Sequence, residues 1–340
     1  MRFPKFLKEN GTIGFVAPSF GCATEPYYSL FINAQKRFTD MGYKLSIGPN
    51  CYVEKGIGIS NDPRLCGKEL NESYVSSDND VIISCGGGEL MCETVNYIDF
   101  EAVAKADPKW YMGYSDNTNF TFLSATLADT AAIYGPCVSD FGMSDWHESI
   151  EDAFDLLCGR KLNFKGYNGW EYEGLKDESN PLLPYNITEK SVITTYPTSD
   201  ISMEGRLIGG CMDCLINLTG TRYDRVRDFA KKYADDGILW FIEACDLNMM
   251  GIRRALWQMK NAGWFENVSG FIVGRPLHIG EDMMGLDHIR AVTDTLSEYN
   301  VPILLDADIG HHAPMMPIIT GAMARVNASG NEYSIEMRLE

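Results

Sequence analysis

Two short segments put chemically capable residues where a strand hands over to a helix. The first is Gly113-Tyr114-Ser115-Asp116-Asn117, after the apolar stretch 109–113 and before a helical pattern over 118–128. A serine at such a turn is pushed outward on a tight bend, and the helix N-terminus aims amide groups at it. The nucleophile-elbow pattern is G-x-S-x-G, and Asn117 stands where the second glycine would be. Ser115 alone also fits the N-cap of the next helix, with Asp116 favourable to its dipole. The second segment is Gly86-Gly87-Gly88, between an apolar strand at 80–84 and a helix starting at Glu89. Its glycines let the backbone approach a ligand and turn N–H groups inward, although a plain tight turn needs no more. No Lys follows, so this is no phosphate loop of the G-x-x-x-x-G-K type.

A serine nucleophile needs a base and an acid to orient it. The chain has five histidines, at 147, 278, 288, 311 and 312. His311 and His312 follow Gly310 beyond an apolar strand at 302–305, a good place to present an imidazole. Glu243 closes the apolar run 237–242. A carboxylate there is either functional or paired, with Arg253 or Arg254 as the nearest candidates, because burying it alone costs several kcal/mol. Asp306, Asp308, His311 and His312 also contain metal-ligand residue types. Their D-x-D-x-x-H-H order matches no metal motif with a physical rationale, and no metal or other cofactor is expected.

These residues need a scaffold of strand ends. Strands are expected within 12–19, where a short buried strand ends in a turn, and at 44–47, 80–84, 109–113 and 131–134, alternating with helices at 27–41, 62–74, 89–96, 118–128 and 149–158. That alternation is the mark of a doubly wound α/β sheet, whose ligands bind at the carboxyl ends of the strands. It sets Gly86–Gly88 and Ser115 on one edge of a first domain, residues 1–164. Residues 165–204 are rich in Gly, Pro, Asn, Ser and Thr and read as an irregular linker. Trp170, Tyr172 and Tyr185 within it either pin the loop to a surface or form a stacking platform for a substrate ring. A second α/β domain, 205–340, has strands expected at 237–242, 270–273, 302–305 and 332–338, with helices at 249–262 and 288–299.

Composition sets the limits. With 29 Lys+Arg against 47 Asp+Glu, the 340-residue chain has a net charge of −18. That argues against nucleic acid or an anionic membrane as the main partner, though not against a nucleotide-sized ligand held by local donors. A hydrophobic fraction of 45% is that of a folded globular chain, long enough for two cores. The ten cysteines are few for this length and several lie in apolar stretches, which suits reduced, buried thiols in a cytoplasmic protein. Cys211-Met-Asp-Cys214 is the one C-x-x-C and lacks the second ligand pair a zinc site wants. No apolar run approaches a membrane span or a signal-peptide core, so a cytoplasmic location is expected.

Taken together, these segments resemble the LD-carboxypeptidase family of serine peptidases, and within it the branch containing the microcin C immunity protein. The matching stretches are residues 14–18, Ser84-Cys85-Gly86-Gly87-Gly88-Glu89, Gly113-Tyr114-Ser115-Asp116-Asn117-Thr118, Tyr134-Gly135-Pro136, Gly209-Gly210, Phe241-Ile242-Glu243, and Gly310-His311 with Pro317 and Gly321 beyond. They span nearly the whole chain. The resemblance implies Ser115 as nucleophile, His311 as base and Glu243 as its orienting acid, with Gly87 and Asp116 supplying oxyanion amides. Gly86, Gly88, Trp170 and Cys211 would face the substrate. It implies a flavodoxin-like first domain, a β-rich C-terminal α/β domain, a homodimer and a triad at the domain interface. The chain departs from the family at Cys211, where many relatives carry Asn or Ser. It departs again at 244–248, Ala-Cys-Asp-Leu-Asn, which lacks the acidic residue often found just after the catalytic Glu. The expected activity is amide hydrolysis in a small peptide or a peptidyl- or aminoacyl-nucleotide, as in microcin immunity. The alternatives are a murein tetrapeptide LD-carboxypeptidase and a two-domain protein that binds a small ligand without chemistry.

Overall fold

A computed structural model describes every residue, Met1–Glu340. The chain forms two compact units. The first comprises residues 1–161 and 173–186; the second comprises 162–172 and 187–340.

The first unit is built on five parallel strands: β1 (Thr12–Val16), β2 (Lys44–Ile47), β3 (Val81–Ser84), β4 (Tyr111–Gly113) and β5 (Ala132–Tyr134). Their order is β2-β1-β3-β4-β5, the flavodoxin-like doubly wound arrangement. The central strand β3 is buried throughout, as a strand covered on both faces must be. Helices Tyr27–Asp40, Pro63–Val75 and Thr118–Ala128 fall where the apolar spacing puts them. The helix expected from Glu89 instead starts at Met91. The amides of Glu89 and Leu90 are committed to the Gly58 carbonyl, and the Met91 amide to the Asp116 carboxylate, so the helical turn opens two residues later.

The second unit carries an eight-stranded mixed sheet. Its strands are β6 (Asn163–Lys165), β9 (Thr194–Tyr196), β10 (Asp200–Cys211), β11 (Ile238–Glu243), β12 (Val268–Gly274), β13 (Ile303–Ala307), β15 (Met323–Ser329) and β16 (Glu332–Arg338); β7 (Gly169–Trp170) and β8 (Glu189–Lys190) form a separate hairpin, and β14 is Ile318–Thr320. The order is β6-β16-β15-β10-β11-β12-β13-β9. Strands β10 to β13 run parallel, and antiparallel strands flank them on both sides. The apolar run of β11 is buried along its whole length. Strands β15 and β16 alternate buried and exposed residues, as expected where one face of an antiparallel ribbon meets solvent. No helix is long and apolar enough to cross a membrane.

Arg206 anchors the start of the parallel block. It is 5% exposed. Its guanidinium donates to Asp236 at 2.7 Å, to the Gly321 carbonyl at 2.7 Å and to the Glu340 carbonyl at 2.9 Å, and it lies 4.2 Å above the Tyr233 ring. Replacing it strands two carbonyls and a carboxylate. Arg206→Met is expected to lower unfolding stability by about 2–4 kcal/mol, read as a reduced midpoint in urea.

Candidate active site

In the first unit, parallel pairing of β3 with β4 sets their carboxyl ends side by side, and the Gly86–Gly88 turn and Ser115 meet there. A Cβ built on Gly87 would lie 3.0 Å from Ser115 Cβ and 3.1 Å from its Oγ, so the Gly87 backbone lies directly against the serine side chain. Ser115 adopts φ 61°, in the left-handed region that costs a non-glycine residue about 1–3 kcal/mol and that recurs at functional turns. The turn is held from several sides. The Ser115 amide donates to the Tyr134 hydroxyl at 3.2 Å. Asn117 Nδ2 donates to the Gly86 carbonyl at 2.8 Å and to the Tyr114 carbonyl at 3.0 Å, while its Oδ1 accepts from the Tyr111 hydroxyl. Asn117 therefore ties the glycine turn to the serine turn.

Asp116 is buried. Its carboxylate accepts from Ser19 Oγ at 2.5 Å, the Met91 amide at 2.8 Å and Asn119 Nδ2 at 3.0 Å. Burial pushes its pKa up, against the pull of these hydrogen bonds. The side chain is thus structural, which leaves its backbone amide as the functional candidate. Gly86 accepts from Ser84 Oγ as well as Asn117. Gly88 sits so close to Ser19 that an added Cβ would fall 2.1 Å from the serine Oγ.

In the second unit, His311 Nδ1 is 2.9 Å from Glu243 Oε2, and the carboxylate is wholly buried. Glu243 ends β11 and His311 follows β13, so the pair reaches across the end of β12. That end is Gly274, where a Cβ would lie 1.9 Å from the Ile309 carbonyl oxygen and 3.1 Å from Glu243 Cβ. Gly310, at φ 111°, completes the gap: its Cβ would fall 2.7 Å from Glu243 Oε2. Glycine at both positions is what lets the carboxylate reach the ring. Burial disfavours the imidazolium, but the nearby Glu243 charge, the hydrogen bond that Nδ1–H donates to it and the neighbouring Cys245 outweigh it and raise the His311 pKa well above the usual histidine range. Arg253, considered above as a partner for Glu243, pairs with Asp294 instead at 2.9 Å.

His312 is placed differently. Its Nδ1 lies 3.0 Å from the Glu171 carbonyl oxygen and its Nε2 3.2 Å from that of Leu277, and burial lowers its pKa. Asp308 takes Arg275, the Tyr333 hydroxyl and the Tyr167 amide, and Asp306 takes His288 at 2.9 Å. The four polar side chains of 306–312 thus go to four different partner sets. Trp170 is 8% exposed and packs on the His312 ring at 4.7 Å and under the Arg275 guanidinium at 5.3 Å. Tyr172 stacks on His312 at 6.0 Å and remains 59% exposed. Tyr185 belongs to the first unit, where its ring lies 5.8 Å from His147. Cys211 is buried, pairs in register with Glu243 and donates to Asp213 Oδ2 at 3.4 Å.

Models of the LD-carboxypeptidase N-terminal and C-terminal domains match residues 13–135 and 204–326. The chain belongs to the LD-carboxypeptidase family. A Treponema pallidum protein named "Putative carboxypeptidase" is 26% identical over 97% of this chain and 94% of its own length. The MccF-like protein from Bacillus anthracis str. Ames superposes with a TM-score of 0.84 over 99% of this chain and 100% of that one, at 20% identity. MccF in complex with glutamyl sulfamoyl guanosine gives 0.81 over 98% of both, at 22% identity. These structural likenesses agree with the two-part α/β architecture.

The sequence reading passed over Asn117, Tyr134 and Asp213. Asn117 was visible only as a break in the elbow pattern, and the hydrogen bonds that explain it come from a turn about 30 residues away in the chain. Asn117→Ala removes the amide that donates to the Gly86 and Tyr114 carbonyls and takes away the oxygen that accepts from the buried Tyr111 hydroxyl. A loss of about 1–3 kcal/mol is expected in urea unfolding. Asn117→Gly restores the elbow spacing and should still show that loss.

Proposed function

We propose that this LD-carboxypeptidase family member is a serine amidase in which Ser115 is the nucleophile, His311 the general base and Glu243 the orienting acid. The observation that carries this reading is the buried 2.9 Å hydrogen bond between Glu243 and His311 Nδ1. With Nδ1–H donated to the carboxylate, the proton-free nitrogen of a neutral ring is Nε2, the tautomer a base needs. His311 takes the Ser115 proton as Oγ attacks the substrate carbonyl. Glu243 stabilises the imidazolium, and the amides of Gly87 and Asp116 receive the oxyanion. The imidazolium then protonates the leaving amine, and water releases the acyl-enzyme.

For the substrate, we favour a small peptide or an aminoacyl- or peptidyl-nucleotide. Tyr172, exposed and stacked beside the His311–His312 step, offers an aromatic face for a base. The complex of MccF with glutamyl sulfamoyl guanosine supports the same class. The family name and the carboxypeptidase relative favour a second reading, release of a terminal D-amino acid from a murein tetrapeptide.

Incubation with a murein tetrapeptide and, separately, with glutamyl sulfamoyl adenosine, followed by mass spectrometry, separates the two. Cleavage of the nucleotide conjugate alone is the expected outcome, and release of D-Ala alone would reverse the substrate choice. Ser115→Ala is expected to lower turnover by about 10⁴–10⁶-fold, and unchanged hydrolysis would sink the triad.

The raised pKa of His311 fixes the sign of the pH dependence. The base works only when neutral, so kcat/KM should fall as pH drops through that pKa and rise above it. The midpoint should lie above the ordinary histidine value of about 6.5. In Glu243→Gln the midpoint should move down, and a midpoint unmoved by that change would count against Glu243 as the partner.

A further inference from the structure

The segment 306–312 carries His311 along a path that the backbone does not favour. Asp306 has φ 61° and Gly310 φ 111°. Asp306 is also the extra residue of a bulge, since Val273 pairs with Leu305 and Gly274 with Ala307. A non-glycine residue in the left-handed region costs about 1–3 kcal/mol and persists only where its surroundings over-determine it. Between these two positions stands Asp308, and each of its polar groups is engaged. Its Oδ1 accepts from Arg275 Nη2, and its Oδ2 from the Tyr333 hydroxyl at 2.9 Å and the Tyr167 amide at 2.8 Å. Its amide donates back to the Tyr333 hydroxyl at 2.8 Å, and its carbonyl accepts the Met316 amide at 2.7 Å. The Asp308 side chain has no solvent exposure and that of Arg275 almost none. Tyr333 lies on β16, five places from β13 in the sheet order. At about 4.8 Å per strand a flat sheet would hold the two roughly 24 Å apart, so the sheet curls and Asp308 ties its two sides together.

We propose that Asp308 is a positioning residue for His311: through Tyr333, Tyr167 and Arg275 it fixes the turn that seats the His311 ring on Glu243. The path from one to the other is short. Asp308 is followed by Ile309, whose carbonyl is packed against Gly274, and by Gly310, packed against the Glu243 side chain; His311 comes next. Without the Tyr333 hydroxyl, the Asp308 amide loses its acceptor and the carboxylate one of its three donors. The turn is then no longer over-determined, the costly conformation at 306 relaxes, and the ring backs away from the carboxylate. The titratable and charged groups around the turn are Glu243 and Cys245 at the end of β11, the His288–Asp306 pair at its start, Arg275 beyond β12, and His312. Tyr333 adds no charge at neutral pH, because burial and then the Asp308 charge push its hydroxyl pKa up. Removing that hydroxyl therefore reaches the His311 ring through geometry and not through charge. Loss of hydrolysis on moving the ring rests on the triad reading above, whereas the seating of the ring on Glu243 does not.

The test uses the full chain with isotopically labelled histidine, read by NMR; the His311 signals are those missing from His311→Gln. In the wild-type protein the ring should titrate above the ordinary value of about 6.5 and show the downfield Nδ1–H resonance of a hydrogen bond to a carboxylate. A wild-type ring that titrates at the ordinary value overturns the proposal without further variants. Tyr333→Phe keeps every charge. Its His311 midpoint should fall by about half a unit or more, with loss of intensity in the downfield resonance. A folded Tyr333→Phe protein with both signals unchanged overturns the proposal even where its urea midpoint drops, because a purely structural contact gives that result. Asp308→Asn should move the ring at least as far, and a folded Asp308→Asn protein with an unmoved ring is equally fatal. If the stranded Arg275 charge keeps that variant from folding, Tyr333→Phe alone decides. In hydrolysis, Tyr333→Phe should lower kcat/KM by about tenfold to a hundredfold, in kcat rather than in KM. A ring that shifts in a protein that cuts no amide supports the positioning and sinks the triad. Hydrolysis that falls while the ring titrates unchanged sinks the positioning and leaves the triad.

Discussion

The buried hydrogen bond between Glu243 and His311 constrains more of this chain than any other contact. A carboxylate with no solvent exposure must be compensated, and here the compensation comes from a ring two strands away. Crossing the end of β12 requires that strand to finish in a residue without a side chain, and the turn after β13 to pass the carboxylate at a positive φ. Gly274 and Gly310 meet these two demands. The surrounding charges are settled separately: Arg275 is spent on Asp308, Arg253 on Asp294 and His288 on Asp306.

The same logic separates two adjacent histidines. His311 faces a carboxylate and is pushed toward the charged form. His312 faces two carbonyls and Arg275, is buried among aromatic rings, and is pushed toward the neutral form. One residue of register thus divides a catalytic candidate from a packing residue, because each ring inherits the charge of its neighbours. In the first unit the corresponding tension is in the backbone. Ser115 holds an unfavourable φ, and the hydrogen bonds of Asn117 and Tyr134 offset it, so the strained turn is maintained by side chains rather than by a second glycine.

Much of this was legible in the sequence where the signal is local. The alternating apolar runs give the strand ends, and the helix at 118–128 and the terminal strand at 332–338 coincide with Thr118–Ala128 and Glu332–Arg338. Glu243 stands out because a charged residue closing an apolar strand is rare and costly. What escaped depends on partners distant in the chain. The long strand β10 holds adjacent glycines that mask its period, and β15 is built from small and polar residues around Val326, so neither shows a strong strand pattern. Asn117 reads as a defect until the Gly86 carbonyl is beside it. Within 165–204, the pieces Gly169–Trp170, Glu189–Lys190 and Thr194–Tyr196 that precede the start of β10 at Asp200 are strands only through their pairing.

The two segments singled out in the sequence as unlike the family pattern, Cys211 and residues 244–248, form a single structural feature. Cys211 ends β10, and residues 244–248 follow Glu243 at the end of β11, its paired neighbour. Both are gathered by Asp213, whose carboxylate accepts from Cys211 Sγ and from the amides of Cys245 and Asp246. A carboxylate with two backbone donors fixes the path of the turn that leaves Glu243. An asparagine or serine at 211 would offer Asp213 a different donor, at a different length, on the strand next to Glu243. The thiol at 211, the acid at 213 and the backbone of 245–246 thus share one hydrogen-bond set, beside the strand that ends in Glu243.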